Sequence, residues 1–257
     1  MNAPDWADAL GLPAMSGGRE RVIHKTDVVR NGRLTKTEEK RLKTVSTLYW
    51  YATVDNSTAQ IAGVVNADYD ARSVLYLRCE MRDTVGSSDV AQLLHGIFAN
   101  PTVLLMEYAE GTVAVSACLR RKSKAEKGAF VTEASAFTGA FDASDAPWSD
   151  YLADIATPVL PQSDLVAYCR ALVDRTRRAR TIDALGFYPR CSDADTARLM
   201  SLVGDLNGKD ATLNSLKEQR RSPNITLSES AEIRMQMAQV QKERAAVAEE
   251  IRELCHA

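Results

Sequence analysis

No run of eighteen or more apolar residues occurs in this chain, so no membrane-spanning helix is expected. Its start, Met-Asn-Ala-Pro-Asp-Trp, has neither a basic stretch nor an apolar core and does not read as a signal peptide. None of the five cysteines stands in a CxxC pair, which argues against a zinc or dithiol motif. Their odd, dispersed count suits a reducing compartment, and the expected location is the cytoplasm. Glycine and proline are not elevated, and the net charge of -2 gives no global pull toward nucleic acid. The P-loop, the dinucleotide glycine fingerprint, the HExxH helix and the G-x-S-x-G elbow are all absent. No catalytic residue, metal site or cofactor is therefore expected.

What is present, most plainly, is a C-terminal helical repeat. Leu199, Val203, Leu206, Asp210, Leu213 and Leu216 recur in steps of three and four. After a break at Ser222-Pro223-Asn224 the pattern resumes with Ile233, Met237, Val240, Arg244, Val247, Ile251 and Leu254. Such spacing keeps one apolar seam on a helix. Folding the chain at Pro223 sets Leu216 against Ile233, Leu213 against Met237, Val203 against Val247 and Leu199 against Ile251, an antiparallel hairpin. Thr226 and Glu229 are placed as a capping box for the second helix, and Ser192 or Asp195 for the first. In this register Asp210 opposes Val240 and Arg244 opposes Leu206. Each seam charge then lacks a partner in the hairpin, and either snorkels to water or meets a charge on a partner chain.

The preceding chain reads as alternating helices and strands. Asp5 to Leu12 makes a short helix, Arg19 to Leu34 is basic and irregular, and Lys36 to Ala52 is expected to be a helix. Strands are expected at Thr58–Val65 and Ser73–Met81, with a turn at Ala67–Arg72 between them. A helix follows, capped by Ser87-Ser88-Asp89 and ended by Asn100-Pro101. Thr102–Tyr108 is short and almost wholly apolar, as a strand buried on both faces should be. Glu110-Gly111 then signals a hairpin, Thr112–Leu119 is its return strand, Arg120–Gly128 a charged loop, and Ala129–Thr138 a further strand. Gly139–Pro161 is acidic and wraps over the domain, with a short helix at Ser149–Ile155. Ser163–Leu185 is a long helix, and Gly186–Pro189 a break. The fold class is α+β, a mostly antiparallel sheet flanked by helices, with an α+β domain over 1–190 and a helical hairpin over 191–257.

Several stretches carry a resemblance: Trp6-Ala7-Asp8-Ala9-Leu10-Gly11-Leu12-Pro13, Val22-Ile23-His24-Lys25-Thr26, Leu48-Tyr49-Trp50-Tyr51, and Ile97-Phe98-Ala99-Asn100-Pro101-Thr102-Val103-Leu104-Leu105. With Cys118-Leu119-Arg120-Arg121, they make residues 1 to about 180 similar to the bacterial domain of unknown function 4391 family. The resemblance implies a setting beside helicase and DNA methyltransferase genes in restriction-type antiviral defence loci, and an accessory role there. It implies no catalytic residues.

The candidate sites follow. A docking seam would use Leu206, Leu213, Met237 and Val240, toward a helicase, a methyltransferase or a second copy of this chain. Basic clusters run through Arg19–Lys43, Arg120–Lys127 and Arg170–Arg180. DNA contact would use Arg120, Arg121, Lys122, Arg177 and Arg178. The competing reading is a divergent magnesium-dependent nuclease centred on Asp70 and Glu80. In its Glu80-Met81-Arg82 an arginine stands where a lysine would position water, and arginine does not lose its proton. Of the three histidines, His95 reads as a partly buried helix residue, and no metal spacing links it to His24 or His256.

Overall fold

The computed structural model describes residues 3–14, 20–222 and 225–256. The chain divides into two compact units, 1–180 and 181–257. The boundary expected at residue 190 lies within the second unit.

The first unit begins with α1 (Trp6–Leu10). Asp5 caps it by accepting from Ala7 N, and Gly11 closes it in the left-handed region at φ 57°. β1 (Arg21–Ile23) and α2 (Lys25–Gly32) then occupy the stretch expected to be irregular. Their signals are weak in the sequence: α2 has no side-chain cap and buries only Val28. α3 (Lys36–Leu42) carries a full capping box, with Thr35 N donating to Glu38 at 2.8 Å.

The helix expected to continue to Ala52 does not; Val45–Asp55 is β2. Its residues are strand formers: Thr47, Tyr49, Trp50, Tyr51, Thr53 and Val54. The pairing of β2 shifts register between Val45 and Thr47 and again between Trp50 and Ala52. Each bulge resets the two-residue alternation, so buried residues of β2 fall at Val45, Leu48 and Ala52, in steps of three and four that mimic a helix.

Thr58–Val65 is likewise no long strand. Asp55 folds the chain there, its carboxylate accepting from Ser57 N at 2.8 Å and Thr58 N at 2.9 Å. Only β3 (Val64–Val65) pairs, with β4 (Asp70–Ala71), which falls in the stretch expected to be a turn. β5 (Ser73–Met81) has the expected limits. α4 (Ser87–Ile97) starts from Gly86 at φ 73° rather than from a serine cap; Ser87 is its first residue and its hydroxyl donates to Thr84 O. β6 (Thr102–Tyr108) is as expected, and β7 (Val113–Lys122) extends three residues into the supposed charged loop. β8 (Phe130–Phe137), α5 (Ala146–Asp154) and α6 (Leu165–Ala179) complete the unit, with Asp164 capping α6.

Six strands form one sheet in the order β1-β2-β5-β6-β7-β8. Every pairing is antiparallel except β5 with β6, which α4 joins as a crossover. On one face Leu75, Leu77, Cys79, Leu104, Met106 and Ala114 pack with Leu42, Val90 and Leu94 of α3 and α4. On the other face a buried hydroxyl chain ties the sheet to α6: Tyr76 Oη lies 2.6 Å from Tyr168 Oη, which lies 3.2 Å from Thr157 Oγ1. Phe141 stacks on Trp148 of α5 at 4.2 Å between ring centroids.

The second unit holds α7 (Ile182–Leu185), α8 (Thr196–Arg220) and α9 (Leu227–His256). The seam closes as the spacing predicts, with Leu199, Leu202, Val203, Leu206 and Ile251 buried together against Val247 and Leu254. Pro223 and Asn224, on which the expected fold point falls, lie outside the described residues. The Thr226–Glu229 capping box forms. The seam charges differ from expectation. Arg244 and Asp210 bond each other across the hairpin, Nη2 to Oδ2 at 3.2 Å. A helical turn is about 5.4 Å long, a span the arginine side chain covers, so the offset between the two positions is bridged from within.

Each side chain of that pair is 42% exposed, so solvent screens it. Replacing Arg244 by Met should therefore shift stability by less than about 1 kcal/mol. Replacing fully buried Leu199 by Ala should cost about 2–4 kcal/mol. Urea unfolding of the intact chain, followed by its helical signal, checks the contrast; equal losses would mean the ion pair is a principal clasp.

Candidate functional site

The basic residues proposed for DNA contact separate into held and available groups. Arg120 is 6% exposed and points inward; its Nη1 donates to His95 O at 2.7 Å and its Nη2 to Phe130 O at 2.8 Å. Arg178 is 2% exposed and pairs with Asp154 at 3.1 Å. Arg177 pairs with Asp174 at 3.0 Å. Arg121 and Lys122 are half-exposed, and Lys122 Nζ donates to Asn66 O. The two clusters do not merge. At the Lys122 end of the sheet α6 contributes Arg170, which meets Glu133 at 3.3 Å, and Arg178 stands about 12 Å further along the helix.

The nuclease pair is also kept apart. Asp68 O accepts from Lys122 N, which places β4 at the Ser73 end of β5. Glu80 is at the other end, about 20 Å away along the strand. Asp70 is engaged by Arg72 at 2.8 Å. Glu80 belongs to a different cluster, gathered around Arg78. That guanidinium reaches Glu20 at 2.6 Å, Glu107 at 2.9 Å and Glu80 at 3.1 Å, and lies 4.1 Å over the Tyr49 ring. Trp6 Nε1 donates to the other oxygen of Glu107 at 2.8 Å. Burial disfavours the charge on Arg78, but the carboxylates of Glu20 and Glu107 outweigh it and hold the proton more firmly than usual. Among the described residues no three His, Cys, Asp or Glu side chains are placed to hold a metal ion.

Replacing Arg78 by Met would leave three carboxylates facing one another without a cation. The expected loss is about 3 kcal/mol or more, measured by urea unfolding, with Arg78→Lys recovering only part of it because one ammonium cannot match the planar fork. Full stability of the Met variant would show the cluster to be solvated.

The site that sequence reading missed lies under α4. His95 is 1% exposed, more deeply buried than expected. Its Nδ1 meets Thr102 Oγ1 of β6, and its Nε2 lies 2.8 Å from Ser116 Oγ of β7. Ser116 also donates to Ala136 O of β8 at 3.1 Å. One imidazole thus joins α4 to three strands. Desolvation, and then the charge of Arg120, push its pKa down to about 3. A histidine that is neutral and held on both ring nitrogens is a weak base, so the arrangement serves packing better than proton transfer. A signal did exist in the sequence. Ser116 and Arg120 occupy the same inward face of β7 as Ala114 and Cys118, and polar residues on a buried face need partners.

In the unfolded chain His95 takes up a proton near its ordinary value of 6.5, whereas in the folded protein it does so only near 3. Between those values the unfolded state binds more protons. The stabilisation is therefore complete above about pH 6.5 and declines as pH falls, by about 1.4 kcal/mol per pH unit from this group. Unfolding free energies stepped from about pH 7 down to about pH 4 should fall less steeply in His95→Gln than in the parent, by about that slope. Equal slopes would mean that His95 titrates normally.

The four proposed docking residues face into the hairpin. Leu206 and Leu213 are buried, and Met237 and Val240 half-buried, along the seam between α8 and α9. Two further ion pairs cross beside it, Arg198 with Glu250 and Lys209 with Glu243, both at 2.7 Å. Outside the seam, Leu227 is 88% exposed and Met235 75% exposed on α9.

Fold and site together define a mixed α+β protein whose six-stranded sheet is flanked by helices and which also carries an antiparallel helical hairpin. No described helix is long and apolar enough to cross a membrane. The chain belongs to the family described as Domain of unknown function (DUF4391), whose model matches residues 10–243. That match runs well past Arg180, where the resemblance read from short motifs stopped, and takes in α8 and much of α9. Comparison with curated proteins finds no match, and comparison with solved structures finds none.

Proposed function

We propose that this protein is a non-catalytic accessory subunit whose hairpin docks a larger nucleic-acid enzyme, a helicase or DNA methyltransferase of a restriction-type defence system. The observation that carries the reading is the hairpin's exterior. Its apolar seam and its seam charges are satisfied from within. Its exposed apolar side chains, Leu227 and Met235, therefore lie on α9 outside the seam. Large apolar groups left in water beside mixed charges suit a protein partner better than a solvated face. The docking surface accordingly shifts from Leu206, Leu213, Met237 and Val240 to the outer face of α9. Leu227 and Met235 stand about 12 Å apart along it.

The separation of Asp70 from Glu80 along the sheet, and the pairing of each with an arginine, favour this reading over a nuclease. DNA contact, as a secondary property, falls to Arg121 and Lys122 with exposed Lys124 and Lys127, since Arg120 and Arg178 are held inside.

The test is affinity capture from the native host at low salt, after nuclease treatment, with the intact chain and with a Leu227→Glu/Met235→Glu variant. A helicase or methyltransferase identified by mass spectrometry with the intact chain, and reduced at least tenfold with the variant, is the expected result. Equal recovery with both, or no nucleic-acid enzyme with either, overturns the proposal. Sedimentation of the purified chain as a dimer that the variant dissociates would assign the same surface to self-association instead.

A further inference from the structure

A cleft of about 470 Å³ opens on the α4 side of the sheet, beside edge strand β8. Its volume falls in the roughly 300–1,000 Å³ range of small-molecule sites. α4 contributes Ser88 and Gln92 to it, β8 contributes Ser135, and Arg180 at the end of α6 reaches it from the far side. Ser116 and His95 form part of the floor, already bonded to each other. Thr138 lines it too, but its hydroxyl is engaged by Val115 N and Gly139 O.

The unengaged groups decide what the cleft suits. The side chains of Ser88, Gln92, Ser135 and Arg180 have no hydrogen-bond or ion-pair partner among the described residues. Three are neutral groups that can donate or accept, and the fourth is a guanidinium, which only donates. No lining residue is acidic. A convergent set of donors with one cation and no carboxylate complements an anion, and a guanidinium fork matches phosphate geometry. The remaining wall is apolar: Ala91, Ala136 and the ring of Phe137. Inorganic phosphate has no use for that wall, whereas the flat base of a nucleotide does.

We propose that this cleft binds a phosphorylated small molecule of mononucleotide size. Arg180 and Ser135 take the phosphate, Ser88 and Gln92 take the polar edge of the organic part, and Phe137 lies against its ring. The site sits in the sheet unit and does not depend on the docking role proposed for the hairpin.

The probe is adenosine 5′-monophosphate, titrated into the full chain by calorimetry, with adenosine and inorganic phosphate as separate arms. The expected result is saturable binding of the nucleotide, weaker binding of each fragment, and loss of affinity as salt rises. Arg180→Gln should weaken it roughly tenfold or more, the worth of one charge-assisted contact. Gln92→Glu, which puts a carboxylate at the cleft wall, should weaken it at least as much. Both positions are exposed, and unchanged thermal midpoints without ligand would show that the variants fold. No saturable binding of the nucleotide overturns the proposal. So does binding insensitive to both substitutions, adenosine binding as well as its phosphate, or inorganic phosphate binding as well as the nucleotide.

Discussion

Arg78 is the constraint on which one face of the sheet unit depends. Glu80 and Glu107 stand opposite one another on β5 and β6, the single parallel pair, with Glu20 beside them. Carboxylates so placed repel, and solvent screens the repulsion only in part because Glu107 is largely covered. One guanidinium resolves it by bonding all three while stacking on Tyr49. Trp6 then anchors α1 to the outer oxygen of Glu107. The N-terminal helix, β2 and the parallel pair are thus held through one cation. The same cluster engages one oxygen of Glu80, whose partner is the Arg78 guanidinium at 3.1 Å.

The opposite face is organised by a second inward-pointing polar group. Arg120 crosses from β7 to the backbone of α4 and of the β8 end, and His95 returns from α4 to β6 and β7. Burying a guanidinium and an imidazole side by side is costly, and the cost is only partly offset: the Arg120 Nη groups are bonded but its Nε is buried without a partner, while desolvation keeps the imidazole neutral. Arginine nitrogens that look available in the sequence are therefore structural. In the run Arg120-Arg121-Lys122 the first member points into the core, while the other two, at the end of the strand, reach water partly.

The sequence was legible where one period held over a whole element. Ser73–Met81 and Thr102–Tyr108 came out residue for residue because each is a regular buried strand. The hairpin's seam came out because its three-four spacing persists through both helices. Legibility failed where a local device reset the period. Two bulges hid β2 inside an apparent helix, and an Asp55 turn replaced most of an expected strand. α2 announced itself with neither cap nor stripe. The site under α4 was hidden for another reason. Its members come from residues 95, 102, 116 and 120, and only the crossover between β5 and β6 brings them together. No local pattern encodes that proximity.

The hairpin shows how a charge in an apolar seam can mislead. Asp210 and Arg244 look like a demand for a partner chain when each is set against the residue directly across. A helix side chain, however, reaches a full turn along the axis, and a long arginine reaches further than the register suggests. The pair satisfies both charges from within at a half-exposed place in the seam, and the buried leucines, not the ion pair, hold α8 against α9. Both act inside the hairpin. The docking proposal must then use what the seam leaves outside, and on α9 that includes exposed Leu227 and Met235. Under the docking proposal, the closed seam matters because a hairpin already ordered by its own core would meet a partner without first having to be ordered.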